Sequence, residues 1–552
     1  MPAKNTTSIS LAGLGAKGLN TQAQSATLSL EFLTEANNVV YDLEGRMGPR
    51  KGVKQITTPV TTGAIKSIGE FVKADRTREY YAGTGAKIVK LNTATAPDTL
   101  VEQSFSGSPQ TINDSNWQWV NFNNEFWGVQ SGHKVINYDG TNWNDIDDLG
   151  AYAAPAGVTT FDPNCALGEF GRVFYGGITE AKGTIYYSDN LIGEKLNGGA
   201  AGALDLKTVW GNDEIIHLAS LENKLVIFGK QNIVIYSGAI NPATMVLEEI
   251  IRDVGLAGRD NVVYVGADLF FLSYEGLVSI RRVTQTDGRA PVEGLSTTVR
   301  NDLTRILTQA TVENIKSIYY QKEGFILTLM PDDDKAYVFD FSVGKMEFPR
   351  ITTWTFNLEP LSALYTFDGK LYFGTTDSLA EYDGYYDVTL TDSTASFGNE
   401  AACTAAGGTW DGSKCWTPTN TDYSWLFQTP WSDFGDQVFA KIIKSGLITV
   451  TGGQGAAATI QLYKDYEYGS AYSKTFNLTS DAVNYLYGAG PSSSQASLYG
   501  KATYAATSGP REYKVPLART GKTFRIKMTF EVKGNYSSLI TSNLLAKKGK
   551  VR

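Results

Sequence analysis

The sequence predicts an all-β protein: a β-propeller of about six or seven blades, with a C-terminal β-sandwich and an extended N-terminal arm. Three observations predict it. One short phrase recurs seven times between Phe71 and Gly384: an apolar or aromatic strand, a Gly/Asp/Asn turn, and a second strand. The phrase returns about every 45–55 residues, near the period of propeller blades and well above that of helical solenoids. The 56 glycines and 30 tyrosines suit many short strands and tight turns. A blade cannot bury both faces alone, so repeated blades stack around an axis and cover one another.

Taken in chain order, residues 1–60 form an arm and a strand segment. The first 30 are polar and rich in Gly, Ala and Thr, and residues 28–56 show strand periodicity around a DLEG turn. Gly13, Gly15 and Gly18 in GLGAKG match GxGxxG. The next residues, LNTQAQSATLSL, do not open an apolar helix, so a flexible arm accounts for the match better.

The propeller occupies residues 61–390. Its seven phrases are REYYAGTGAKIVKLN (78–92), NEFWGVQSGHKVINYDG (124–140), GRVFYGGITEAKGTIYYSD (171–189), NKLVIFGKQNIVIYSG (223–238), ADLFFLSYEGLVSIRRV (267–283), GFILTLMPDDDKAYVFDF (324–341) and GKLYFGTTDSLAEYDG (369–384). The first and last can belong to flanking domains, which leaves six or seven blades open. One helix interrupts them: Ser296 is its N-cap, and Val299, Leu303, Ile306 and Leu307 fall at i, i+4, i+7 and i+8. The expectation is that it packs outside the ring or against a neighbouring subunit.

Residues 385–424 read as a loop insertion of small polar residues holding two of the three cysteines. From 425 to 552 strands return without the repeat phrase, as in a separate β-sandwich. Inside it the Gly/Ser/Ala/Tyr-rich stretch 486–509 reads as a contact loop, or as a gate that narrows a channel. The tail LLAKKGKVR is basic.

Composition narrows the function. Apolar residues make up 42% and charged residues 19%, a folded composition. Net charge is 49 − 57 = −8, a poor footing for general nucleic-acid binding but a suitable wall for a channel through which DNA slides. No stretch of about 18 apolar residues offers a membrane span. The N-terminus lacks the basic and apolar regions of a secretory signal, so the expectation is a protein kept in the cytosol or leaving inside something larger.

The chemistry-bearing residues point away from an enzyme. Only His133 and His217 are available, in different repeats, and no GxSxG elbow accompanies them. The cysteines lack CxxC spacing, so no metal or cofactor site is expected. TGKT (520–523) is not a P-loop, because Pro516 stands five residues before Gly521. NDIDDLG (144–150) has Leu149 at the fifth calcium position and is no EF-hand loop. YDGTNW (138–143) resembles a sialidase Asp-box turn but has Gly140 directly after Asp139. Similar turns recur around Glu275, Asp368 and Asp383, which argues for turn chemistry rather than a glycosidase pair. Cys165 reads as a small buried hydrophobe. Cys403 and Cys415 flank a loop that a disulfide closes easily, with the compartment deciding whether it forms.

ANNVVYDLEGRMGPRKGV (36–53) resembles the opening segment of the tail nozzle proteins of short-tailed bacteriophages, also called tail tubular protein B or packaged-DNA stabilisation proteins. The counterparts are Asn37, Asn38, Asp42, Glu44, Gly45, Arg50 and Gly52. Two further likenesses are VLEEIIRDVGLAGRDNVVYVGADLFFLSYEGLVSI (246–280) and a close with Phe434, Gly435, Asp436 and a Lys-Lys-Gly-Lys terminus. The resemblance implies a structural virion protein, assembled in the host cytoplasm, about six copies to a tail. The copies would form a hexameric ring below the head-to-tail adaptor, retain packaged double-stranded DNA, pass it without sequence recognition, and present surfaces to a tail fibre or tailspike. The alternatives are a glycan-binding or glycan-cleaving propeller and a cellular propeller scaffold. A nozzle would form a ring with a continuous axial channel, whereas a lectin or hydrolase would show an open carboxylate-rich pocket.

Overall fold

The computed structural model describes residues 7–42, 45–60, 62–285, 294–342, 349–435, 438–469, 472–478 and 510–548. The chain is mostly β, with many four-stranded antiparallel sheets that resemble propeller blades. Each of the seven repeated phrases supplies two adjacent strands of one blade-like sheet. In the fourth, Lys224–Gly229 pairs with Ile233–Ser237, flanked by Ile215–Leu221 and Val246–Ile251. The turns into these hairpins carry the backbone that tight hairpins demand. Asn123–Asn124 and Glu222–Asn223 both place two successive residues at positive φ, the type I′ requirement.

The second strand of a sheet is buried on both faces, which is why it reads as a continuous apolar run. All of Arg172–Gly176 and all of Phe325–Met330 are buried. Neighbouring sheets share apolar clusters. Phe71, Tyr81, Phe126 and Trp143 join the first to the second, and Phe228 and Phe271 join the fourth to the fifth. The last sheet packs back on the first through Tyr372 and Leu379 against Ile65 and Ile68, and Ser362–Tyr365 lies against Ile65–Val72.

Two sheets depart from the pattern. The fifth has three strands, Val262–Val265, Asp268–Ser273 and Gly276–Ser279. In place of a fourth, Leu295 and Ser296 bond to the backbone of Leu277, and the helix Arg300–Gln309 follows. The helix packs one face on the sheets: Val299, Leu303, Ile306 and Leu307 are buried with Phe270, Ile326 and Tyr337, while Arg300, Arg305 and Thr308 are exposed. Nor does Ser296 cap it, because its hydroxyl is taken by Leu277 and a 3-10 turn, Thr297–Val299, comes first. The seventh sheet takes its fourth strand, Val53–Gln55, from near the N-terminus.

Residues 385–424 are not a bare loop. Asp387–Asp392 runs parallel to Val53–Gln55 at one residue pair and continues the seventh sheet into Cys415–Thr421 and Thr409–Trp410. Alternation is weak there because the last four residues of Cys415–Thr421 are exposed in succession, on both faces. Cys403, on the short helix Glu400–Ala405, is disulfide-bonded to Cys415.

Two further sheets face one another. One contains Tyr423–Gln428, Phe524–Val532, Ala457–Lys464 and Tyr472–Asn477. The other contains Arg511–Gly521, Lys441–Gly452 and Ser537–Lys548, joined by Val39–Tyr41, Met47–Pro49 and Thr7–Ser10. Trp425 stacks on Phe530 (4.2 Å between centroids, 9°) in the core between them. The N-terminal segment is therefore not a free extended arm. Leu11, Leu33 and Met47 are core residues, and Gly18 sits so close to the sixth sheet that a Cβ there would meet the Ile351 amide nitrogen at 2.6 Å. The strand Glu35–Asn37 pairs with both Arg350–Trp354 and Tyr423–Gln428, making one continuous sheet of ring and sandwich. Among the described residues no helix is long and apolar enough to cross a membrane. The stretch 486–509 lies outside the described residues, as do Glu44, Asp436 and the last four residues.

Candidate functional site

The first strands of neighbouring blade-like sheets lie against one another, and a charged network sits at their starts. Arg259 and Asp260 immediately precede the first strand of the fifth sheet, and Lys316 opens that of the sixth. Arg259 grips Asp260 with two bonds, Nε to Oδ1 at 2.8 Å and Nη2 to Oδ2 at 2.9 Å. Its guanidinium also donates to the Asn116 carbonyl (2.9 Å) and the Asn164 carbonyl (3.3 Å), reaching the second and third sheets. The Lys316 ammonium bonds to Asp260 and to the Asn116 side chain. Burial works against the Asp260 charge, but Arg259 and Lys316 outweigh it and hold the carboxyl far below the usual range. Burial pulls Lys316 down despite Asp260, since Arg259 repels it. His217 is half-buried beside this network, and desolvation pushes its imidazole down to about 4.

Two cavities border this network. One of about 350 Å³ is lined by Lys66, Glu70, Trp119, Asp260, Lys316 and Ser362, and one of about 80 Å³ by Asn116, Asn164, Glu214, Lys230 and Arg259.

The second constellation ties the ring to the sandwich. Arg50 is 1% exposed, yet every arm of its guanidinium is used. Nη1 and Nη2 each donate to Asp387 at 2.9 Å, Nε donates to the Asn38 side chain at 3.1 Å, and the Lys51 and Thr355 carbonyls take the rest at 2.7 and 3.0 Å. Phe356 and Tyr423 cover its faces at 4.8 and 4.3 Å. Asp387 also accepts from the Val53 amide, and Asn38 donates to the Ser424 carbonyl. One side chain thus gathers the N-terminal segment, the sixth and seventh sheets and the sandwich. Gly52, two residues on, is obligatory: a Cβ would lie 1.8 Å from the Tyr386 carbonyl oxygen.

The other residues singled out in the sequence are scattered. His133 lies edge-on to Trp117 (5.0 Å) with its ring nitrogens on the Lys134 and Gln110 carbonyls. Asp139 accepts from the amides of Thr141 and Asn142, both at 2.7 Å, a turn role. Glu275 pairs with Arg300, and Asp368 takes the Thr366 hydroxyl. The ring does not bring Asp139, Glu275, Asp368 and Asp383 together, since they belong to its second, fifth and seventh sheets. Cys165 is fully buried, and burial pushes its thiol up to about 12. Among the described residues no group of three His, Cys, Asp or Glu could hold a metal ion.

Sequence reasoning missed Asp260, Lys316 and Asp387. The signal for the first was present: Gly258-Arg259-Asp260-Asn261 is a charged run wedged directly against an apolar strand. It also missed Glu125. Burial first, and Glu194 second, raise its carboxyl to about 7, against an opposing bond from the Asn137 side chain at 3.3 Å.

No protein-family model and no curated protein matches the chain. Solved structures match distantly. The chain resembles the extracellular domain of the hybrid two component system BT4673 from B. thetaiotaomicron at 9% identity and a TM-score of 0.40, covering 63% of this chain and 41% of that one. It resembles the Neurospora crassa Pan2 WD40 domain at 8% identity and a TM-score of 0.36, covering 60% and 96%. It resembles YCF48 from Cyanidioschyzon merolae at 10% identity and a TM-score of 0.34, covering 60% and 98%. The chain thus spans about two fifths of the first of these. At such scores nothing about function passes from them to this protein.

Proposed function

We propose that the seven blade-like sheets form a closed seven-bladed propeller joined to a β-sandwich, and that the chain is a structural tail protein of a short-tailed bacteriophage. Six copies form a ring below the head-to-tail adaptor, retain the packaged duplex, channel it at ejection and carry a fibre or spike. The protein is not an enzyme and resides in the virion.

One observation carries this reading. Asn38, Arg50 and Gly52, three of the seven opening-segment residues that carry the resemblance to tail nozzle proteins, are spent on a buried junction rather than on an open site. A junction that locks two units into one body suits a part whose work is to hold shape around a pressurised duplex. The chain's net charge of −8 suits a wall along which DNA must slide, since each cation–phosphate contact would retain it. In this reading the duplex follows the axis between copies, while the buried Arg259–Asp260–Lys316 network ties each chain's own sheets together.

Particles assembled without this chain test the reading. They should package DNA and then lose it to added nuclease. Particles that lack the chain and keep their DNA protected would overturn it.

A further inference from the structure

The chain's net charge hides a split. Residues 425–552, which supply most of the sandwich, carry 16 − 7 = +9, whereas residues 1–424, which include the ring, carry 33 − 50 = −17. A charge asymmetry of this size between two parts of one chain points to a partner for the basic part. The sandwich sheet of Arg511–Gly521, Lys441–Gly452 and Ser537–Lys548 displays much of the positive charge. Strand alternation turns Ile443, Ile448, Val515, Leu517, Leu544 and Ala546 into the core, so their sequence neighbours face outward.

On that outward face Lys444, Lys514 and Lys547 are exposed, and Glu512 is the single carboxylate in the three strands. Lys514 lies opposite Leu447 and Lys547 opposite Ile442, so neither lysine meets a carboxylate across the strands. Ile442, Leu447 and Leu545 are half-buried among the lysines. Three apolar side chains interleaved with three ammonium groups suit a protein partner that is both apolar and acidic. A DNA duplex would use the lysines and leave the apolar side chains idle, because its affinity comes from cation–phosphate contacts. The face turns away from the other sheet of the sandwich, the one continuous with the ring through Glu35–Asn37, so the chain's own ring does not cover it.

We propose that this face docks on the acidic ring surface of a second copy of the chain. Crowded carboxylates on the ring supply the counter-surface. Beside the turn Pro331–Asp333, burial and then repulsion from Asp334 and Asp332 raise the Glu359 carboxyl, a repulsion that a partner's ammonium groups would relieve. The basic and acidic surfaces lie on different parts of one chain, so the contact is head-to-tail, and a head-to-tail contact with the right rotation closes a ring. Complementary potentials fix the register of such a contact and speed its formation. The inference rests on the six-copy ring proposed above and names the surfaces through which the copies meet.

The test is zero-length coupling with a carbodiimide, which joins a lysine to a carboxylate only where the two touch. Full-length chain in isotopically light and heavy forms is mixed, assembled and coupled. Light-to-heavy links from Lys514 or Lys547 to carboxylates within residues 62–424 are expected, and added salt should dissociate the copies. Lys514→Glu with Lys547→Glu should weaken association by about tenfold or more with the unfolding transition unchanged, whereas Lys514→Arg with Lys547→Arg should retain it. A chain that stays monomeric, copies that associate without these links, or association indifferent to the glutamate variant would overturn the proposal. So would a DNA duplex that the unaltered chain binds and the glutamate variant releases while association is unchanged, which would assign the face to DNA. Tail particles that protect their DNA yet show no such links would remove this interface and leave the tail reading standing.

Discussion

The ring of blade-like sheets and the sandwich joined to it are both antiparallel structures with aromatic cores, yet the chain reaches them by different routes. In the ring nearly every strand pairs with its neighbour in sequence, and the hairpins close within a few residues. In the sandwich and at the junction the partners are remote. Arg50 meets Asp387 across 337 residues, Lys527 reaches Glu35 across 492, and Thr7–Ser10 pairs with Ser537–Lys548. Local pairings cost little loop-closure entropy, whereas remote ones must wait until both chain ends are present. The difference teaches that the ring is a modular array, and that the N-terminal segment is the clasp that makes ring and sandwich one body.

Breaking the clasp should have the largest effect. Arg50→Ala leaves the Asp387 carboxylate buried without its partner, at a cost of about 3–5 kcal/mol in denaturant unfolding, with ring and sandwich destabilised together. Arg50→Lys should recover little, because an ammonium cannot form the two-pronged bond. A loss below about 1 kcal/mol would remove the clasp from the account.

Inside the ring the corresponding change is Asp260→Asn, which strips two buried cations of their counter-charge and should cost about 3 kcal/mol near neutral pH. The sign with pH is set by Asp260 being held below the usual carboxylate range. Its contribution is present above the ordinary carboxyl pKa and is lost as pH falls toward the lowered one, so the deficit of the variant shrinks on acidification. His217, pushed down to about 4, adds acid lability of its own between its usual range and that value. Unfolding curves at pH 7 and pH 4 check the histidine, and a third near pH 2 checks Asp260.

Gly52→Ala should cost about 1–3 kcal/mol, because the added carbon meets the Tyr386 carbonyl and the backbone must move. The smallest effect is stabilising. Glu125 has its carboxyl raised to about 7, so its contribution is intact below the ordinary carboxyl pKa and is lost as pH rises through 7. Glu125→Gln should match the parent at pH 4 and exceed it by about 1 kcal/mol at pH 8, a figure reduced for the group's partial exposure. Equal stability at pH 8 would place Glu125 in solvent.

The same contrast decides what the sequence discloses. The seven phrases are legible because a hairpin writes both partners within one short window, as in NKLVIFGKQNIVIYSG. Arg50 stands out in the opening motif, but nothing local names Asp387 as its partner, nor shows that residues 385–424 extend a sheet. The helix is visible from Val299 to Leu307, while the sheets it packs on are not, because the missing fourth strand of the fifth sheet is a tertiary fact. GLGAKG reads as a free arm for the same reason: Gly18 is fixed by Ile351, more than three hundred residues away.

The most direct test of the central claim is an electron cryomicroscopy reconstruction of the purified chain in its assembled form, or of the tail that contains it. The account predicts a closed ring of six copies with an open channel between them wide enough for a DNA duplex. A particle of isolated chains, or a ring without a continuous channel, would contradict it.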